Sequence, residues 1–241
     1  MISTDAVRGS RARWRGEALG AVLFDLDGTL LDTVGDIALA LNRALGEHGL
    51  APIPTGEVRA MIGRGAPMLV RRACAHLGLA PDEARQALLL EGFYHHSERI
   101  EEHAESAAAP YDGALQALAG LRAAGLRIAV VTNKQHRFAA ALVRSLGLDA
   151  WVELVVGGDT CAQRKPDAAP LLYACARLAT PPTAALMVGD SINDVQAARA
   201  AGMPVICVPY GYNEGRDPRS LPCDAFIESL GELPSLLLGG N

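Results

Sequence analysis

Two aspartates separated by one residue, Asp25 and Asp27, follow the apolar run Ala21–Phe24, so acid chemistry is delivered to the tip of a hydrocarbon segment. Carboxylates this close repel each other and lose hydration beside apolar neighbours, which a cation or a shared proton must offset. Magnesium suits the task, because it prefers hard oxygen ligands and commonly takes a few from protein and the rest from water and substrate phosphate. A second pair repeats the pattern: Leu186-Met187-Val188 runs into Gly189-Asp190, with Asp194 one helical turn later. Asp190 is expected to complete a magnesium site with Asp25 and Asp27, and Asp194 to order a metal water or a lysine. Helix capping accounts equally well for Asp190 and Asp194 taken by themselves. Thr132-Asn133, after Val130-Val131, offers a hydroxyl and an amide to phosphate oxygens, although the same pair makes an ordinary helix N-cap. Lys165, in Arg164-Lys165-Pro166, offers a compact cation just before a helix, where a solvated surface charge is the plainer account.

These residues need elements to hold them. Residues 21–24 read as a parallel strand covered on both faces, and 127–131, 154–156, 185–188 and 204–208 read as further short strands. Helical patterns over 114–124, 136–146, 167–178 and 192–201 alternate with them, and Gly125, Gly147 and Gly202 provide C-terminal stops. The alternation predicts an α/β fold, a Rossmann-like parallel sheet with helices on both faces and right-handed crossovers. In such sheets ligands sit in the crevice beyond the carboxyl ends of the strands, where Asp25, Thr132 and Asp190 all fall. Residues 35–109 break the rhythm. They show helical periodicity over 37–45, 58–62, 67–77 and 82–102 with no convincing strand, which predicts a small α-helical cap inserted above the strand tips, with a return hinge over 104–110. The expected layout is a basic, disordered tail over 1–17, a core domain over 18–34 and 110–241, and a cap domain over 35–109.

Composition narrows the function. With 241 residues, half of them apolar, the chain can bury a full core. A formal charge of −5 argues against a nucleic-acid partner, which calls for a basic face. No apolar run approaches the roughly 18 residues of a membrane span. Five cysteines without a CxxC pair fit reduced thiols and a cytoplasmic setting. The arginines at 8, 11, 13 and 15 precede only a short strand, and His95, His96 and His103 read as a solvated helix face rather than a metal site. Monomer and homodimer both remain open.

Taken together, FDLDGTLLDT, VVTNK, RKP and VGDSIND resemble, in order and spacing, the four motifs of the haloacid dehalogenase superfamily of phosphatases. The helical segment is similar to the small cap of that superfamily's phosphoglycolate phosphatase branch, as are Ile62-Gly63-Arg64-Gly65-Ala66, Gly157-Gly158-Asp159 and Pro209-Tyr210-Gly211-Tyr212. The resemblance implies a magnesium-dependent phosphoric monoester hydrolase that acts on a small phosphorylated metabolite, 2-phosphoglycolate first among them. Asp25 would attack phosphorus to form an aspartyl-phosphate, and Asp27 would act as general acid and then base. The metal would take a side-chain oxygen of Asp25, the carbonyl of Asp27 and a side-chain oxygen of Asp190, with Asp194 behind them. Thr132, Asn133 and Lys165 would hold the phosphoryl group, and Arg64, between two glycines, would read a substrate carboxylate. The alternatives are a phosphatase of a sugar phosphate or nucleotide-related monoester, a phosphomutase, and a silent phospholigand-binding protein.

Overall fold

The computed structural model describes residues 12–102 and 105–239; the expectations for residues 1–11 and for His103 lie outside them. The described chain opens with an antiparallel hairpin, β1 (Arg13–Trp14) against β2 (Glu17–Ala18). Its turn residues Arg15 and Gly16 both have positive φ, 50° and 87°, the geometry whose twist matches paired strands. The disordered tail expected as far as residue 17 is therefore corrected from Ala12 onward. Ala12 is fully buried and accepts a hydrogen bond from Leu19 N at 2.9 Å, Trp14 packs on the main core, and Arg15 donates to Asp224 O at 3.0 Å. Two apolar residues among the arginines give this segment something to bury.

β3 (Ala21–Phe24) turns into β4 (Leu31–Asp32), which pairs antiparallel with β5 (Ala109–Pro110). Between those two short strands run α1 (Val34–Glu47), α2 (Thr55–Arg59), α3 (Ala66–His76) and α4 (Glu83–Glu102). The β4–β5 ladder thus ties both ends of the helical insertion at one neck, and its second strand occupies the end of the expected hinge. The chain continues through α5 (Ala114–Ala123), β6 (Arg127–Val131), α6 (His136–Ser145), β7 (Leu154–Val156) and α7 (Ala169–Arg177). It closes with β8 (Ala185–Gly189), α8 (Ile192–Ala200), β9 (Val205–Cys207), β10 (Ala225–Phe226) and α9 (Leu233–Leu238).

Six strands form one parallel sheet in the order β10-β9-β8-β3-β6-β7. β3 lies inside it, with Phe24 opposite both Val130 and Val188. All four β3 residues are fully buried, and they alternate between faces. Val22 and Phe24 join a core with residues of α5, α6 and α9, whereas Ala21 and Leu23 join one with residues of α7 and α8. Each large aliphatic or aromatic side chain buried this way contributes about 1.5–3 kcal/mol. The insertion has its own core, in which Ile37, Leu41 and Leu45 of α1 meet Leu69 and Val70 of α3 and Leu89 and Phe93 of α4.

Candidate active site

Asp25 is the first residue past β3, and its N–H still donates to Val188 O at 2.9 Å, so the sheet itself aims the backbone that carries the carboxylate. The chain then turns at Gly28, where φ is 88°. A Cβ there would collide with the carboxylate of Asp190, so both the turn and the close approach demand glycine. Asp190 follows β8 and is 2 % exposed. Its two oxygens accept from Thr29 Oγ1 at 3.0 Å and from Tyr212 N at 2.6 Å.

Lys165 is the buried cation of the site. Its Nζ lies 2.9 Å from Asp25 Oδ1 and 2.7 Å from Asp194 Oδ1, and it donates to Val131 O at 2.6 Å. Burial works to lower its pKa, but Asp194 and Asp25 outweigh that and hold it above the usual lysine range. Asp194 also accepts from Ser191 N at 3.1 Å and Ser191 Oγ at 2.7 Å, closing a capping box on α8. Capping and chemistry are therefore not alternatives for this residue: the cap fixes the carboxylate that fixes the lysine.

One ammonium does not balance the acids. Oxygens of Asp25, Asp190 and Asp194 lie within 4.8 Å of one another. Burial raises the Asp25 carboxyl to about 7, with Lys165 pulling it down and Asp194 and Asp27 adding to the rise. Burial also pushes Asp190 well above the carboxylate range, followed by the charges of Asp194 and Asp25. Three carboxylates, two buried and one half-buried and all hard oxygen donors, against one lysine are a donor set that a divalent cation fits.

Asp27 stands apart from that cluster. Its Oδ1 accepts from Thr33 Oγ1 at 2.6 Å and lies 3.1 Å from Lys134 Nζ. Lys134, within the Thr-Asn-Lys segment, was not singled out from the sequence, because a partner 107 residues away leaves no local signal. Tyr212 stands in the Pro209-Tyr210-Gly211-Tyr212 segment. Its hydroxyl donates to Asp32 Oδ1 at 2.7 Å and accepts from Thr33 N at 2.8 Å and Val34 N at 3.0 Å, so it ties down the start of α1.

Thr132 is buried after β6, its N–H on Val156 O at 2.9 Å and its Oγ1 accepting from Lys134 N at 3.2 Å, which leaves the hydroxyl proton free to donate. Asn133 is not free in that way. Its side-chain amide donates to Gly63 O and to Lys165 O, both at 2.9 Å, so it clasps the insertion to the core, while the residue also lines the cavity and its Oδ1 has no hydrogen-bond partner. Arg64 departs from expectation too: its Nε lies on Glu214 Oε1 at 3.1 Å, and its neighbours Gly63 and Gly65, not its own side chain, line the cavity. That cavity, of about 310 Å³, lies between core and insertion, and its lining includes Asp25, Asp27, Thr132, Lys134 and Arg164. Leu90, Phe93, Phe138 and Leu142 give it apolar wall as well. Tyr94 stacks on Phe138 with centroids 5.7 Å apart, closing the apolar side.

A family model of haloacid dehalogenase-like hydrolases matches residues 22–208, a span that holds Asp25, Asp27, Thr132, Lys165, Asp190 and Asp194. The phosphoglycolate phosphatase of Nitrosospira multiformis is 45% identical over 221 residues, covering 90% of this chain and 95% of that protein. Among solved structures, a protein described as a predicted phosphoglycolate phosphatase from Haemophilus somnus superposes with a TM-score of 0.82 at 30% identity, covering 89% of this chain and 96% of the other. CbbY from Rhodobacter sphaeroides, solved in complex with phosphate, superposes with a TM-score of 0.75 at 26% identity, covering 89% and 96%. A carboxylate after the central strand, a buried lysine held between two aspartates and a family match that spans residues 22–208 agree: the chain belongs to the haloacid dehalogenase-like hydrolases.

Proposed function

We propose that the protein is a magnesium-dependent phosphatase that hydrolyses 2-phosphoglycolate to glycolate and phosphate. The observation that carries the reading is the separation of the first two aspartates into different surroundings. Asp25 faces Lys165 at 2.9 Å, whereas Asp27 faces Thr33 and Lys134. One is set to attack and the other to move a proton.

A carboxylate oxygen of Asp25 bonds to phosphorus as the ester P–O bond breaks, and the bonding pair leaves on the alkoxide. Asp27 gives that oxygen its proton, and its contacts with Thr33 and Lys134 orient the carboxyl for the transfer. A water then attacks the phosphoryl group, Asp27 takes its proton, and the acyl-phosphate bond to Asp25 breaks. The Asp25 carboxylate is restored. Lys165 pulls Asp25 toward its ionised form against the effect of burial and meets the charge on the phosphoryl oxygens, to which the Thr132 hydroxyl also donates. Asp25, the carbonyl of Asp27 and Asp190 would hold magnesium, with Asp194 behind them, and the ion would supply the positive charge that the acid cluster lacks. Residues 35–109 serve as a cap that covers this chemistry from water. The reading assigns the enzyme to the cytoplasm, where its cysteines stay reduced.

The apolar part of the cavity lining, with Leu90, Phe93, Phe138 and Leu142, favours a second reading: a monoester with a larger body, such as a sugar phosphate or nucleotide-related compound. Phosphate release from a panel of small monoesters, with magnesium and with chelator, tests both. The first reading expects the highest kcat/KM on 2-phosphoglycolate, loss of activity in chelator and loss in Asp25→Asn. A larger monoester turned over better replaces the substrate, and full activity in Asp25→Asn overturns the mechanism.

A further inference from the structure

Glu214, on the loop that follows β9, takes no part in the chemistry above, yet its geometry is costly. Its backbone is left-handed, with φ 51° and ψ 35°, a conformation disfavoured for any residue that carries a Cβ. Its side chain is only 5 % exposed. A buried carboxylate on a strained backbone needs partners, and two of its three partners come from the insertion. Oε1 accepts from Arg64 Nε at 3.1 Å and from Asn193 Nδ2 at 3.1 Å, and Oε2 accepts from Arg72 Nη2 at 2.8 Å. Arg72 in turn donates to Met61 O at 2.9 Å. Both cations belong to the insertion, and Glu214 and Asn193 belong to the core.

The glycines flanking Arg64 fit the same contact. At Gly63, φ is 144°, and a Cβ would come within 2.9 Å of Glu214 Oε1. The Gly63 carbonyl receives the Asn133 amide, which also holds Lys165 O, so the docked loop is tied to the residue that bears the catalytic ammonium. The close approach that these glycines permit is therefore made to the core.

We propose that Glu214 is a positioning residue, a latch whose carboxylate draws Arg64 and Arg72 down and seats residues 62–65 over Asp25. Closure is then encoded in the protein's own charges, and Arg64 is committed to the latch and not to substrate. The proposal rests on reading residues 35–109 as the cap of a phosphomonoester site.

The test uses the full chain carrying Glu214→Gly, which suits the left-handed backbone while deleting the carboxylate, and Glu214→Gln, which keeps its shape. Hydrogen exchange across residues 60–76 is expected to quicken in both. With magnesium and 2-phosphoglycolate, KM is expected to rise about tenfold while kcat holds within about twofold, the size of losing charged hydrogen bonds to one buried group. Adding Arg72→Met to Glu214→Gln should change KM little further, because the two substitutions remove one interaction. Unchanged exchange and unchanged KM in a folded Glu214→Gly protein would overturn the latch, as would an additive double variant or a fall in kcat at constant KM. If the unaltered protein releases no phosphate from 2-phosphoglycolate, the substrate reading fails, and the exchange measurement alone decides the latch.

Discussion

Replacing Lys165 with methionine removes the ammonium that contacts both Asp25 and Asp194 while keeping most of the side chain's volume. The lysine side chain is 2 % exposed, with carboxylate oxygens at 2.9 and 2.7 Å. Breaking a buried pair by deleting one partner costs about 3–5 kcal/mol, because the remaining charge is left uncompensated. For a chain of this size about 2–4 °C of melting temperature accompanies each kcal/mol, so the metal-free variant should melt about 6–20 °C below the unaltered protein. The loss must depend on pH, and its sign follows from Asp25. A carboxyl raised to about 7 in the folded state, against 3.8 for the free side chain, favours folding most below the lower value and loses that contribution as pH rises through the upper one. Without Lys165 the folded value rises further, so the penalty is largest at about pH 8 and shrinks toward about pH 4 as protonation relieves the cluster. Thermal unfolding in chelator across that range reads the effect, and added magnesium should return part of it by binding the folded state. A melting loss equal at both ends, or one of less than about 3 °C, would refute the charge argument.

Tyr212→Phe should lower the urea midpoint by about 1–3 kcal/mol of stability without changing the slope, because it strips the hydroxyl from Asp32 and from the N–H groups of Thr33 and Val34. Gly28→Ala drives a methyl into the Asp190 carboxylate from a backbone at φ 88°, and calorimetry should find magnesium bound at least about tenfold more weakly. Glu214 meets a burial cost, but Asn193 and Arg72 hold its pKa below the ordinary 4.5. Its contribution is thus complete above about pH 4.5 and is lost as pH falls through the lowered value; Glu214→Gln should flatten that acid-side decline in a fluorescence titration.

The parallel core was legible because each buried strand is a short apolar run bounded by polar residues, and Arg127–Val131 and Leu154–Val156 begin and end where the pattern says. β4, β5 and β10 were missed, since two residues carry no periodicity. The expected helix over 167–178 starts at Ala169, because Asp167 Oδ1 accepts from Ala169 N at 2.8 Å and holds the first turn open as a cap. Asp25, Thr132, Lys165, Asp190 and Asp194 could be named in advance, because each stands next to a strand end or helix start visible in the sequence. The partners of Lys134, Tyr212 and Glu214 could not, because they lie across the fold. Arg64 illustrates the limit: its type and flanking glycines point to an anion, and the anion it meets is a side chain of its own protein.

The loop between β9 and β10 joins these two kinds of residue in one physical unit. At its near end Gly211 packs against Asp190, and Tyr212 N donates to the same carboxylate at 2.6 Å. Arg59 of α2 donates to Tyr210 O and, at 3.3 Å, to Gly211 O, and lies over the Tyr212 ring with 5.0 Å to its centroid. Two residues further on, Glu214 holds Arg64 and Arg72. A segment of five residues thus shapes a proposed metal ligand on one side and docks the insertion on the other. Packed segments of this kind pass on small displacements, because their arrangements are discrete and not continuously deformable. Gly28→Ala and Glu214→Gly act at opposite ends of the unit, so their effects on magnesium affinity should be non-additive by at least about 0.5 kcal/mol. Strict additivity would mean that the loop holds the two ends independently, with metal binding and closure as separate properties.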